Sequence, residues 1–286
     1  MESAGAREQR RAMSNSRLFS ARRGVVYLVG AGPGDVGLLT LKARDLLATC
    51  DVVVYDNLVN PEALLFASAE TERIDVGKVG GGRQTPQAEI NRLLIARARR
   101  GERVVRLKGG DPFLFGRGGE EAEALRHAGV PFEVVPGVTS ALAVPAYAGI
   151  PLTHRGISSS VAVIAGTRAE DVTDHDVERR ARFDVDTLVV LMGTARLRQI
   201  AADLVAAGRP AETPVAVIRW GTYEGQQTVV GTLHDIADRV ERARLRSPTV
   251  IVVGEVVRLR ERLRWFEPKQ EQESGETPEA AFVVDC

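Results

Sequence analysis

Short apolar runs recur along the chain, each bounded by glycine, proline or polar residues, and most are followed by a stretch in which apolar residues return every three or four positions. The first run, 25–30 (VVYLVG), predicts a strand of the fully buried type. In 37–48, Leu38, Leu41, Ala43, Leu46 and Leu47 form most of an apolar stripe and predict a helix. Strands follow at 52–55 and 73–76, separated by a short helix over 61–67 that opens on Pro61. The segment 85–100 predicts a helix capped by Thr85 with Pro86 at its first position. A strand over 103–107, a helix over 119–128 and a strand over 132–135 close a first series. Strands alternating with helices imply a mainly parallel sheet covered on both faces.

A second series starts at Pro136-Gly137, where two chain-breaking residues punctuate the sequence. It contains a small-residue helix over 139–148, strands over 161–165 and 187–191, and a helix over 195–207 ended by Gly208. Strands over 214–218 and 226–231, a helix over 233–240 and a strand over 249–253 complete it. The expected fold class is α/β: two domains, 25–136 and 137–266, with mainly parallel or mixed sheets and a ligand cleft between them.

Charge adds the chain ends to this picture. The 286 residues hold 38 Lys+Arg against 38 Asp+Glu, but the balance is uneven along the sequence. Residues 1–24 carry six arginines and two glutamates; 267–286 carry six acids and Lys269. Neither end has apolar periodicity, so 1–24 and 267–286 are expected to be disordered tails, one basic and one acidic. No apolar run follows Met1, so a secretory leader is not expected, and an organellar transit peptide ranks below a plain extension. A near-neutral body disfavours a nucleic-acid-coating protein, and no apolar run reaches the length of a membrane span. Cys50 and Cys286 form no C-x-x-C pair and His127, His154, His175 and His234 are scattered, so no metal site is indicated. A reducing cytoplasm is the simplest setting.

Three loops at strand ends carry candidate chemistry. Gly30-Ala31-Gly32-Pro33-Gly34-Asp35 joins the first strand to the first helix, where backbone can approach a nucleotide-like ligand closely. Asp56 follows about 20 residues on, as in a dinucleotide site. However, Asp35 stands where that motif needs its third glycine, and Pro33 removes a donor. A nicotinamide dinucleotide, another ligand or a structural turn all remain open for this loop. The second loop, Gly109-Gly110-Asp111-Pro112-Phe113-Leu114-Phe115-Gly116-Arg117-Gly118-Gly119-Glu120-Glu121, is too glycine-rich for a mere connection. There Arg117 either presents its guanidinium to a carboxylate ligand or pairs with Glu120 or Glu121. In the third loop, Pro136-Gly137-Val138-Thr139-Ser140, the hydroxyls are helix caps or ligand contacts. Beyond it, Arg155 is a candidate anion binder, and Lys78, Arg106 and Lys108 could line a basic wall.

These segments resemble the tetrapyrrole methylase family, the class III S-adenosylmethionine-dependent methyltransferases. The resemblance rests on VYLVGAGPGD up to Asp35, YDNLV (55–59), GGDPFLFGRGGEE (109–121), PGVTSALAVPAYAGIPLTHRG (136–156), LMGT (191–194) and PTVIVVGEVV (248–257), and covers about 25–266. It implies a homodimer that binds S-adenosylmethionine and releases S-adenosylhomocysteine. The implied donor contacts are Pro33, Gly109, Gly110, Asp111, Leu114, Thr139, Ser140, Met192, Gly221 and Thr249. Asp56, Arg117, Glu120 and Arg155 would face the substrate. The GRGGEE segment points to the branch that methylates uroporphyrinogen III twice to give precorrin-2. That substrate is an octacarboxylate, which suits Arg117 and Arg155. A guanidinium stays protonated, so Arg117 is expected to bind or stabilise charge, while Asp56 or Glu120 takes the proton. The alternatives are a later precorrin methyltransferase and, further off, an NAD(P)-dependent oxidoreductase.

Overall fold

The computed structural model describes residues 17–79, 83–166 and 184–266. The expected tail segments 1–16 and 267–286 lie outside the described residues. The chain divides into two compact units between Val138 and Thr139.

In the first unit the apolar runs become β1 (Val26–Gly30), β2 (Val52–Tyr55), β3 (Glu72–Asp75), β6 (Val104–Lys108) and β7 (Phe132–Val135), with a short pair β4 (Lys78–Val79) and β5 (Arg83–Gln84) inserted. The helices are α1 (Leu41–Leu47), α2 (Gln87–Arg99) and α3 (Gly118–His127). The five long strands pair in parallel in the order β3-β2-β6-β1-β7. Alternate strand residues point to opposite faces. Tyr27, Val53 and Val105 pack with Ala43, Leu46 and Leu47 of α1. Leu28, Val54 and Val104 pack with Ile90 and Leu94 of α2 and Leu125 of α3. Both faces are therefore covered, which is why β1 and β2 carry no polar alternation.

Three local expectations change. The helix foreseen from Gly37 starts at Leu41, because Thr40 caps it by accepting from the Ala43 N–H at 3.1 Å; Val36–Leu38 form a separate 3₁₀ turn. Thr85 does not cap α2. Pro86 occupies the cap position without a side-chain bond, the Thr85 N–H is committed to the Gly77 carbonyl, and its buried hydroxyl has no partner among the described residues. Residues 17–24, assigned to the basic tail from their lack of periodicity, are tied to the body by polar contacts instead. Asp45 accepts from the Leu18 N–H at 2.7 Å, Thr49 from Ala21, and the Tyr27 hydroxyl from Arg22, and Ala21 is buried.

The second unit opens with α4 (Ser140–Tyr147) and continues through β8 (Val161–Ala165), β9 (Thr187–Leu191), α5 (Leu197–Ala206), β10 (Pro214–Arg219), β11 (Gln227–Thr232), α6 (Ile236–Arg242), β12 (Thr249–Val253) and α7 (Arg260–Leu263). Its sheet order is β11-β10-β12-β9-β8, and only β8 and β9 run parallel. Leu188, Val190, Val217 and Ile251 pack against Leu197, Leu204 and Ile236. The uniformly buried β9, β10 and β12 look alike in sequence whichever way they run. No helix among the described residues is long and apolar enough to cross a membrane.

Candidate functional site

In the first unit the chain leaves β1 toward α1 on one face of the sheet and leaves the adjacent β6 toward α3 on the other. Adjacent strands with helices on opposite faces make a topological switch point, and the loops at their carboxyl ends are where open α/β sheets bind ligands. Here those loops are stitched together. Ala31 N–H donates to the Lys108 carbonyl at 2.7 Å, Gly32 N–H to that of Gly110 at 3.2 Å, and Gly110 N–H to that of Gly32 at 2.7 Å. Asn60, after β2, donates from Nδ2 to the Gly34 carbonyl at 2.8 Å and fixes the far side of the first loop around Pro33.

The third loop joins them through glycine. A Cβ on Gly30 would stand 2.6 Å from the Gly110 carbonyl oxygen and from Gly137, and a Cβ on Gly137 would stand 2.3 Å from that same oxygen. The glycine richness thus first serves the convergence of three backbones. Asp111 completes the arrangement: its Oδ1 accepts from the N–H groups of Phe113 and Leu114 at 2.8 and 3.1 Å, and its Oδ2 from that of Gly137 at 3.1 Å. One carboxylate ties the second loop to itself and to the third.

The remainder of the second loop closes on itself, with Gly118 N–H donating to the Pro112 carbonyl at 3.0 Å. Phe115 and Arg117 both adopt left-handed backbone, φ 54° and 57°, where non-glycine residues are uncommon and strain is stored. Arg117 is the cap residue of α3, and its guanidinium grips Glu120 by two bonds, Nε–Oε1 at 2.8 Å and Nη2–Oε2 at 2.7 Å. Both side chains are half exposed, 54% and 52%. The hydrogen bond from Arg117 is the main cause that holds the Glu120 carboxyl below its usual range and the guanidinium above its own. Of the two readings of Arg117, the structure realises the pairing with Glu120.

Arg106 and Lys108, foreseen as a basic wall, are buried, and this expectation is corrected. Both cations donate to Oε1 of the fully buried Glu121, Arg106 Nε at 3.0 Å and Lys108 Nζ at 3.1 Å, and Gln87 Nε2 reaches the same oxygen at 3.2 Å. Arg106 Nη2 also donates to Asp56 Oδ2 at 3.3 Å, while Asp56 Oδ1 accepts from the Leu58 N–H. Burial, then the nearby Arg106, push the Lys108 ammonium below its ordinary range, and Glu121 opposes them. The sequence held a signal for this network. Arg106 and Lys108 share one face of a strand, and Glu121 lies on the buried α3 stripe with Gly118, Ala122 and Leu125. The side chain of Lys78 lies outside what is described.

In the second unit Met192, Gly221 and Thr249 gather at one end of the three central strands of the sheet. Met192 follows the carboxyl end of β9, Gly221 follows that of β10, and Thr249 starts the antiparallel β12 opposite Arg219. A Cβ on Gly221 would stand 2.3 Å from the Val144 side chain of α4, so glycine lets that helix close on these strand ends. The Thr249 and Thr194 hydroxyls are 2.5 Å apart. Met192, Trp220 and Thr222 all have positive φ, and Met192 is exposed. Thr139 caps α4, accepting from the Ala141 N–H, ahead of Ser140. Arg155 lies on an exposed turn bracketed by the His154–Ser158 bridge.

Comparison with known proteins identifies the family to which this fold belongs. Residues 25–237 match the family described as Tetrapyrrole (Corrin/Porphyrin) Methylases. The siroheme synthase of Hahella chejuensis is 49% identical over 244 residues, 85% of this chain and 52% of that protein, so the chain spans about half the length of such curated relatives. The crystal structure of uroporphyrin-III C-methyl transferase from Thermus thermophilus, complexed with S-adenosyl homocysteine, is 44% identical with TM-score 0.71, covering 82% of this chain and 99% of that one. A cobalt precorrin-4 methyltransferase structure is 27% identical with TM-score 0.73, covering 82% and 96%. With the match spanning both units, the chain belongs to the tetrapyrrole methylase family and is a methyltransferase.

Proposed function

We propose that this protein transfers two methyl groups from S-adenosylmethionine to uroporphyrinogen III, giving precorrin-2 and S-adenosylhomocysteine. The observation that carries the reading is the 44% identity to the Thermus thermophilus enzyme across 99% of its length. The later precorrin methyltransferase stands further away at 27%. The donor would be held by Pro33, Gly109, Gly110, Asp111 and Leu114 of the first unit and by Thr139, Ser140, Met192, Gly221 and Thr249 of the second. The fit rests on what these residues offer. The first set is a backbone-lined loop cluster pinned by Asp111, and the second is a strained group of central-strand ends with an exposed thioether and threonine hydroxyls. The donor supplies an already activated methyl group, so the protein's work is to place the accepting carbon and to receive a proton.

Arg117 and Arg155 bind substrate carboxylates. An exposed ion pair is worth about 0–1 kcal/mol, so Arg117 can exchange Glu120 for a substrate carboxylate at little cost and keep a two-bond grip. Once Arg117 turns to the substrate, the half-exposed Glu120 side chain keeps no other hydrogen bond among the described residues, whereas Asp56 stays fixed by Arg106 and the Leu58 N–H. We therefore assign the proton to Asp56: the C–H electron pair returns to the ring system, and the proton goes to a carboxylate oxygen. The resemblance also supports a cytoplasmic homodimer, and the free thiol of the buried Cys50 suits a reducing compartment.

The test is to incubate the protein with S-adenosylmethionine and uroporphyrinogen III and weigh the product. Addition of two methyl groups supports the reading; no transfer, with tight NADPH binding instead, overturns it. Light scattering of the purified protein reads the dimer.

A further inference from the structure

The buried charges beside β6 form a chain of contacts with a direction. Arg106 sits at its centre with a planar, rigid fork of donors. Its Nε bonds to Glu121 at 3.0 Å, Nη2 to Asp56 at 3.3 Å, and Nη1 to the carbonyls of Val54 and Leu107 at 3.3 and 3.1 Å. Every edge of the guanidinium is therefore held. Glu121, completely enclosed, anchors Arg106 and is itself fixed by Lys108 and Gln87. Two cations face two carboxylates. Three of the four charged side chains are sealed from solvent, with 3%, 4% and 0% exposure for Arg106, Lys108 and Glu121, whereas Asp56 reaches 27%. The rigid part of the network thus ends on one accessible carboxylate.

We propose that Arg106 and Glu121 are positioning residues for Asp56, holding its carboxylate in the orientation from which it removes the substrate proton. The inference rests on the methyl-transfer reading above. Buried ion pairs are weak evidence for net stability, which leaves geometric control as the use of this one. A free aspartate rotates about two torsions. Bonded through Oδ2 to a guanidinium that cannot move, and through Oδ1 to the Leu58 N–H, this one has a single arrangement.

The test uses Arg106→Lys, which keeps the charge and loses the fork, and Glu121→Gln, which keeps the shape and loses the charge. Each is assayed with S-adenosylmethionine and uroporphyrinogen III, unlabelled and deuterated at the carbon that loses its proton. Misplacing a reacting group can cost about 10²-fold in rate, so kcat is expected to fall by roughly 10–100-fold in both variants. KM for the tetrapyrrole and the Kd of S-adenosylhomocysteine should stay within about threefold. The deuterium isotope effect on single turnover should rise as proton removal becomes limiting. A structural role would weaken donor binding along with kcat and leave the isotope effect alone, and that result overturns the proposal, as does an unchanged kcat. If Arg106→Lys does not fold, Glu121→Gln decides by the same readings. If the wild-type protein transfers no methyl group, the methyl-transfer reading itself falls; if it does and the variants behave as wild type, only the positioning role falls.

Discussion

Glu120 and Glu121 are neighbours in one motif with opposite surroundings, and that contrast yields a quantitative prediction. Glu120 shares a half-exposed pair with Arg117, worth about 0–1 kcal/mol. Glu121 is enclosed, and its Oε1 accepts from Arg106, Lys108 and Gln87. Glu121→Ala would leave two cations buried against one remaining carboxylate. Removing one partner of a buried pair costs about 3–5 kcal/mol. Lys108, already pushed below its ordinary range by burial, can release its proton and soften the loss; Arg106 cannot. The expected cost therefore sits toward the lower end, about 3 kcal/mol. Native-state hydrogen exchange over β6 and α3 reads it directly. Protection there should drop by about 10²-fold in Glu121→Ala and by less than about fivefold in Glu120→Ala. Equal losses, or the reverse order, would refute the reasoning that burial and not sequence position sets the worth of these carboxylates.

Other outcomes follow from the same geometry. Arg117→Lys replaces a two-bond fork by a point charge, so kcat/KM for uroporphyrinogen III should fall by about 10–100-fold with S-adenosylhomocysteine binding unchanged by calorimetry; a normal rate with full substrate affinity would remove any role for the guanidinium. Gly137→Ala drives a Cβ to 2.3 Å from the Gly110 carbonyl oxygen. The three loops must separate at a cost of about 1–3 kcal/mol, lowering the melting temperature and S-adenosylhomocysteine affinity together. The Asp51 carboxyl is held below its usual range chiefly by its hydrogen bond from Arg103. That contribution is complete above the unfolded value of about 4 and is lost as pH falls through the lower folded value. Asp51→Asn should therefore be less stable near neutrality and lose less on acidification, measured by melting temperature against pH.

Much of the fold was legible in the apolar runs. β2, β7, β8, β9 and β12 fall at the expected residues, and the expected helices over 119–128 and 139–148 end within a residue of α3 and α4. Strand direction in the second unit was not, because a strand buried on both faces carries the same all-apolar signature in either orientation. The start of α1 was missed because the stripe ran on into Leu38, whereas Thr40 supplies the actual cap. At the site, the loops could be located by their glycines, but not the reason for them, which needs Gly30, Gly110 and Gly137 in one place. Arg106 and Lys108 were misjudged for a related reason. A cation in a strand is taken as solvated unless its counter-ion is known, and Glu121 comes from the following helix.

The segment from Leu18 to Arg22 has a practical consequence for handling the molecule. Val25, where the hydrophobic pattern begins, is a natural place to shorten the chain. A cut there would strip Asp45 of two backbone donors, leaving this buried carboxylate with Arg44, and would take their partners from Thr49 and Tyr27. Any affinity tag or fused partner is therefore best joined ahead of Leu18. In this part of the protein the edge of the folded body is drawn by hydrogen bonds to α1 and β1, several residues before the first strand.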